Sequence, residues 1–173
     1  KSTPYALDFM IDKSVKALFS NHDVFSEVEL EARYEIAQEH YKMKVQIESR
    51  CLQDMVLNQI IPASVDYQSV LLGNVSKMKE IFGADFKKHA SSQINIIEEI
   101  SSRIGSLQDL VEKMRVERKK ANKIQNVPEQ AKAYCDNVFS FFDEIRYNVD
   151  KLEVMVDNEL WPVPKYREML FTR

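Results

Sequence analysis

Apolar residues recur along this chain at helical spacing, with almost no strand-like alternation. Behind Pro4, which suits a first helical turn, Leu7, Met10, Ile11, Val15, Leu18 and Phe19 share one side, so a short helix is expected to about Ser20. Asn21-His22-Asp23 breaks the pattern. Ser26 followed by Glu29 is a capping box, in which the hydroxyl and the carboxylate each satisfy a backbone donor that a helix start leaves free. From there the period holds through Tyr34, Ala37, Tyr41, Val45, Leu52, Met55, Ile60, Ala63, Tyr67 and Val70 to Ile81, and stops at Phe82-Gly83. Unbroken, such a helix is about 80 Å long. Pro62 has no amide to give and clashes with the turn before it, so a kink is expected there. Gly73-Asn74 is a weaker point, read as a local bend.

A second long helix is expected from about Ala84, with Ile97, Ile100, Ile104, Leu107, Val111 and Met114 in a coiled-coil-like seam. It fades into Arg118, Lys119 and Lys120, positive charge suited to a helix C-terminus. Val127-Pro128 opens a third, whose stripe of Ala131, Cys135, Val138, Phe142, Ile145, Val149, Leu152 and Val156 reads as uninterrupted, broadened by Tyr134, Phe139 and Phe141. Short turns cannot carry the chain back along helices of this length. The expectation is therefore an all-α fold: an antiparallel up-down-up bundle of three long helices, with a short N-terminal helix and an extended C-terminal tail. The divisions follow as a lead-in over 1–25, the long-helix bundle over 26–159, and a proline-containing tail over 160–173.

Composition agrees with this picture. With 173 residues the chain is the size of one domain, and 3 Gly and 5 Pro are too few breakers for a turn-rich β fold. A net charge of -3 with both signs interspersed gives no global field for nucleic acid or membrane. No run of 18 apolar residues is present, and Lys1-Ser2-Thr3-Pro4 has no signal pattern. A first residue other than Met points to a piece of a longer polypeptide. Cys51 and Cys135 stand apart without a CxxC pair, and each reads as a small hydrophobe in an apolar stripe, which fits a reducing cytoplasm.

Candidate chemistry is sparse. A di-metal carboxylate site in a bundle needs Glu-x-x-His pairs, yet Phe19, Ala37 and Phe86 stand three residues before His22, His40 and His89. No glycine-rich phosphate loop occurs, and nucleophile triads lack the strands and loops that usually hold them. Lys113, Arg115, Arg118, Lys119, Lys120 and Lys123 form a basic run, but Glu112 and Glu117 interrupt it, so it reads as a solvated helix end and not a nucleic-acid surface. The aromatic set of Tyr134, Phe139, Phe141, Phe142 and Tyr147 reads as core or interface material before it reads as a pocket. These readings assign no catalytic, cofactor-binding or metal-binding residue to the chain.

The most informative segment is the tail, LWPVPKYREMLF over 160–171, where two prolines stop the helix and a dense set of large apolar residues follows. Trp161, Pro162, Pro164, Tyr166, Arg167, Leu170 and Phe171 are the candidate packing or interface residues, to be covered by the bundle itself or by another domain or subunit.

With Ser26 to Glu35 (SEVELEARYE), Glu39, Tyr41, Ile47, Glu48, Ile60-Ile61-Pro62-Ala63 and that closing segment in view, the chain resembles the C-terminal helical region of type III glutamine synthetases. Between Ala84 and Gln125 the resemblance is one of helical character alone. It implies a parent enzyme that ligates ammonia to glutamate with ATP and a divalent metal, Mg or Mn, in large homo-oligomeric rings. It also implies an upstream catalytic domain, to which 1–25 is the link, and sister subunits as partners. The chain itself is then a non-catalytic structural and assembly region. A free-standing helical adaptor or sensor module fits the same stripes, and a carboxylate-bound metal enzyme is a weaker third reading. Arg33-Tyr34-Glu35 has a family-like look but reads structurally, with Tyr34 on the buried stripe and its neighbours on flanking faces.

Overall fold

The computed structural model describes residues 2–171. Lys1, at the head of the expected lead-in, and Thr172 and Arg173, at the end of the expected tail, lie outside the described residues. Among those described every regular element is helical. Contacts divide the chain into two compact units, the first made of residues up to Cys51 with Lys113–Phe142 and the second of Leu52–Glu112 with residues from Asp143 onward.

The lead-in is not one helix. It comprises α1 (Thr3–Leu7), a 3-10 turn over Asp8–Ile11, and α2 (Lys13–Asn21). Asp12 causes the division: its backbone is extended (φ -65, ψ 138) and its carboxylate accepts from the Ser14 amide at 3.4 Å, so the helix ends and is capped again at the same residue. The next helix, α3 (Glu27–Met55), starts with the expected reciprocal cap: the Ser26 amide donates to Glu29 Oε2 at 2.8 Å and the Glu29 amide donates to Ser26 Oγ at 3.3 Å. Donation by the Ser26 amide, and then by its hydroxyl, holds the Glu29 carboxyl below the ordinary carboxylate range.

Helical structure then continues past Pro62. A π turn over Val56–Ile60 leads into α4 (Ile61–Phe82), and the Ile61 amide reaches back to the Val56 carbonyl, five residues away. Pro62 falls in the first turn of α4, where the extra residue of the π turn accommodates a missing donor. Gly73-Asn74, expected as a bend, lies within unbroken helix. Gly83 does end the helix, at φ 55 and ψ -122, and a 3-10 turn over Gly83–Asp85 opens α5 (Phe86–Ala121). After Asn126, whose side chain accepts from the Glu129 amide, come α6 (Val127–Ala133), a second π turn over Tyr134–Val138, and α7 (Phe141–Met155). The third stripe is thus interrupted, not continuous. Of its buried members Ala131 lies before the π turn, Tyr134, Cys135 and Val138 within it, and Ile145 and Leu152 beyond it.

In the first unit Val15, Leu30, Tyr34, Val45, Met114, Ala121, Ala131, Tyr134 and Val138 are buried. Polar contacts set the register between helices. Gln46 and Tyr134 both donate to Asn122 Oδ1, at 3.1 and 2.7 Å, and Arg118 donates to the Ser49 hydroxyl at 3.4 Å. Burial pushes the Tyr134 hydroxyl above its ordinary pKa and pushes the Arg118 guanidinium below its own, the latter helped by Arg50. Arg118 is therefore half-buried, while Lys113, Lys119, Lys120 and Lys123 in the same basic run are exposed. Tyr34 occupies the buried stripe as expected. Cys135 is buried, but Cys51 is exposed, because it falls on the side of α3 away from Leu30, Tyr34 and Val45.

In the second unit Val56, Ile60, Ala90, Ile100, Leu107, Ile145, Leu152 and Val156 are buried. Gln68 donates to the Ile97 carbonyl at 2.9 Å and Asn74 donates to Gln93 at 3.1 Å, so α4 and α5 run in opposite directions there. Arg103 of α5 donates to Asn148 of α7 at 3.2 Å.

The two glycines of α4 and its cap are expected to respond oppositely to alanine. Gly83→Ala forces a Cβ into a left-handed conformation and should cost about 1–2 kcal/mol. Gly73→Ala meets open space inside a helix and should gain about 0.5–1 kcal/mol. Urea unfolding of the two variants beside the parent checks the pair of signs.

Candidate docking site at the C-terminal segment

The candidate residues of the tail sit around the C-terminal end of α7. That end leaves carbonyls without intrahelical donors. Met155 is the last helical residue, and the Val156 amide donates to the Leu152 carbonyl at 2.8 Å. The chain then turns on Asp157, whose carbonyl accepts from Trp161 at 3.0 Å and whose carboxylate accepts from the Glu159 amide at 2.8 Å. This turn brings the segment back along α7.

Lys165 completes the return. It is only 8% exposed, and its ammonium donates to the Glu153 carbonyl at 2.6 Å and to the Val156 carbonyl at 2.8 Å. A cation that binds free carbonyls at a helix C-terminus is favoured by both the hydrogen bonds and the helix dipole. The same ammonium lies 5.8 Å from the centroid of the Trp161 ring. One residue on, the Tyr166 amide donates to the Glu153 carboxylate at 3.1 Å, and Arg146 bonds the Tyr166 hydroxyl. A last short helix, α8 (Tyr166–Met169), follows, so the segment is extended only as far as Lys165.

The seven candidate residues therefore divide. Trp161 is 7% exposed, with an indole Nε1 that is buried and has no partner among the described residues. Pro162 and Pro164, which follow the turn, are exposed. Tyr166 is half-exposed and held by Arg146, and Arg167 is exposed. Leu170 and Phe171 face solvent, at 79% and 82% exposure. Sequence reasoning missed Lys165. Its signal was available, since a lysine placed shortly after a helix end can reach the free carbonyls, but which lysine turns inward depends on the turn at Asp157.

The histidines are not drawn together. His22, His40 and His89 are all exposed, and His89 stacks on Phe82 with ring centroids 4.3 Å apart. Among the described residues no group of three or more His, Cys, Asp and Glu is arranged to hold a metal ion. No helix among them is long and apolar enough to cross a membrane.

A protein-family model described as the glutamine synthetase C-terminal domain matches residues 1–79. Similarity to curated proteins extends over nearly the whole chain. The glutamine synthetase of Bacteroides fragilis (strain YCH46) is 42% identical over 171 residues, 98% of this chain. The type-3 glutamine synthetase of Dictyostelium discoideum is 30% identical over 174 residues, and the glutamine synthetase of Butyrivibrio fibrisolvens is 25% identical over 172 residues, each covering 99% of this chain. The chain spans 24% of the length of each of these relatives. The fold and these matches define a helical C-terminal domain of the glutamine synthetase kind. The chain belongs to the type III glutamine synthetases, as their C-terminal helical region.

Trp161 is the only tryptophan, so its emission reports on the docked segment alone. Lys165→Met should free the segment, shift that emission to the red and cost about 2 kcal/mol of stability, because one buried and one part-buried carbonyl lose their donor. Leu170→Ser should leave the emission unchanged.

Proposed function

We infer that this chain is a non-catalytic structural and assembly region of a glutamine synthetase. The parent enzyme ligates ammonia to glutamate with ATP and a divalent metal, Mg or Mn, in the cytoplasm. Its catalytic domain precedes the region in the same polypeptide, and sister subunits of a homo-oligomer are the other partners. The described residues offer no donor set that fits the metal, so no catalytic step is assigned to them.

The observation that carries this reading is the divided C-terminal segment: Trp161 and Lys165 fasten it to α7, while Leu170 and Phe171 stand in solvent. Large apolar side chains held outward on a fastened segment form a contact surface. A second surface supports the same conclusion. On the side of α3 opposite its buried stripe, Val28, Ile36, Met43 and Ile47 are exposed, Val28 by 75% and Ile36 by 65%. A helix with two apolar sides and only one covered is built to receive a neighbour. The opposed directions of α4 and α5, and the pairing of Gln46 with Asn122 and Ser49 with Arg118, support an antiparallel arrangement of three long helices as the scaffold.

Removing this region from the full-length enzyme is expected to change its assembly or its solubility while the upstream catalytic residues stay in place. Light scattering of the truncated and full-length proteins checks it. Full assembly and full activity without the region would refute the assignment.

A further inference from the structure

The N-terminal segment is tied down by side chains from two separate parts of the first unit. From α3, Gln38, which has no exposed surface, donates its amide to the Pro4 carbonyl at 2.8 Å, and the Tyr34 hydroxyl donates to Asp8 Oδ1 at 2.8 Å. From α6 and the π turn that follows it, Lys132 pairs with Asp8 Oδ2 at 2.7 Å, and Asp136 accepts from the Tyr5 hydroxyl at 2.5 Å. The Lys132 ammonium also lies 5.3 Å from the Tyr5 ring centroid. Pro4 itself is buried. A linker that lets its two ends move freely has exposed, weakly bonded backbone. These residues have the opposite character.

The two sets of anchors meet on one residue. Asp8 takes Tyr34 on one carboxylate oxygen and Lys132 on the other, so the segment joins α3 to α6 through a single side chain. The π turn is reached as well, because Asp136 lies within it, and so does Tyr134, whose hydroxyl returns through Asn122 to Gln46 of α3. Strap, α3 and π turn therefore form a closed loop of polar contacts. Chains of packed and hydrogen-bonded groups that close on themselves are the physical means by which a displacement at one point is felt at another.

We propose that residues 2–12 are a strap and not a linker, a joint that locks α3 to the α6 and π-turn segment so that both respond together to whatever holds the polypeptide ahead of it. This rests on the reading of the chain as a region that follows a catalytic domain, and it names the segment through which that domain and the first unit are coupled. In such a joint the anchors are not independent. Loosening the α3 anchor loosens the π turn, and loosening the π-turn anchor loosens the contact with α3.

Hydrogen exchange of the full-length protein, read by mass spectrometry, tests this with two substitutions and their combination. Gln38→Met removes the amide donor within the same volume, and Tyr5→Phe removes one partly exposed hydroxyl and leaves the core untouched. Coupling requires that each single variant raise exchange, by about tenfold, both in residues 3–11 and in residues 134–140, with α4 unaffected, and that the double variant add little to either. Local effects would overturn it: Gln38→Met acting only on the segment around Pro4, Tyr5→Phe only on the π turn, with additive changes in the double variant. Unchanged exchange in all three variants would overturn it equally. Light scattering of the same samples separates this from the assembly role. A protein that assembles normally without the whole region refutes that role, whatever the exchange pattern shows.

Discussion

A helix can bury an apolar seam only while its backbone groups stay paired, and this fold is organised by the places where that pairing runs out. Each interruption leaves donors or acceptors without intrahelical partners, and a buried group left in that state costs about 1–3 kcal/mol. Different residues meet the need at each one. Asp12 and Asn126 cap new starts, the π turn before Pro62 reroutes the Ile61 amide to Val56, and Gly83 supplies a conformation that other residues adopt only under strain. Gln38 satisfies the Pro4 carbonyl, and Lys165 takes up two carbonyls at the end of α7. The two terminal segments are thus bound by the same physics that holds the long helices together. Each is a backbone end finished by a side chain from elsewhere.

The same division of labour governs the polar side chains of the interior. Among the described residues several buried polar side chains bond backbone or a neighbouring helix: Gln38 the Pro4 carbonyl, Ser64 the Ile60 carbonyl, Asn148 both Arg103 and the Glu144 carbonyl, and Lys165 the end of α7. Charges mostly meet at the surface, as in the pairs Lys120 with Glu117 and Arg103 with Glu99, where screening leaves little net stabilisation. Catalysis needs side chains converging on a common point with perturbed acidity. The strongest displacement here is at Tyr41, whose hydroxyl is pushed far up, first by burial and then by Cys135 beside it. Those two groups come from packed elements of the first unit, Tyr41 from α3 and Cys135 from the π turn.

Much of this was legible from the residues. The cap at Ser26 and Glu29 is a local motif, and it forms because its partners lie three residues apart. The stop at Gly83 is equally local. The seam of Ile100, Leu107, Val111 and Met114 has one covered side, so its period reports its burial. Sequence periodicity was less telling for α3, where apolar residues occupy two opposite sides and only the set with Leu30, Tyr34 and Val45 is covered. Cys51 was misread for that reason: it belongs to an apolar stripe, but to the outer one. Pro62 announced a disturbance without saying whether it would be a kink or a π turn, since both relieve the same missing donor. The division of the third stripe at Tyr134–Val138 had no local signal at all.

The parts that stayed hidden share a cause. Gln38, Asp8 and Lys132 are ordinary polar residues whose roles depend on partners that the fold brings in from far along the chain, and Lys165 is one whose role depends on how the chain turns at Asp157. Periodicity says which side of a helix is covered. It does not say which lysine among many will turn inward to meet a carbonyl. The candidate tail was found because prolines and large apolar residues mark it, and the residue that fastens it was not, because a lysine carries no mark of its own. The same reasoning accounts for the strap. Its anchors lie on α3, on α6 and in the π turn, and Tyr34 and Lys132 converge on Asp8 only once those elements are side by side, so a segment that reads as a connector becomes, through four side chains, part of the load path of the unit it enters.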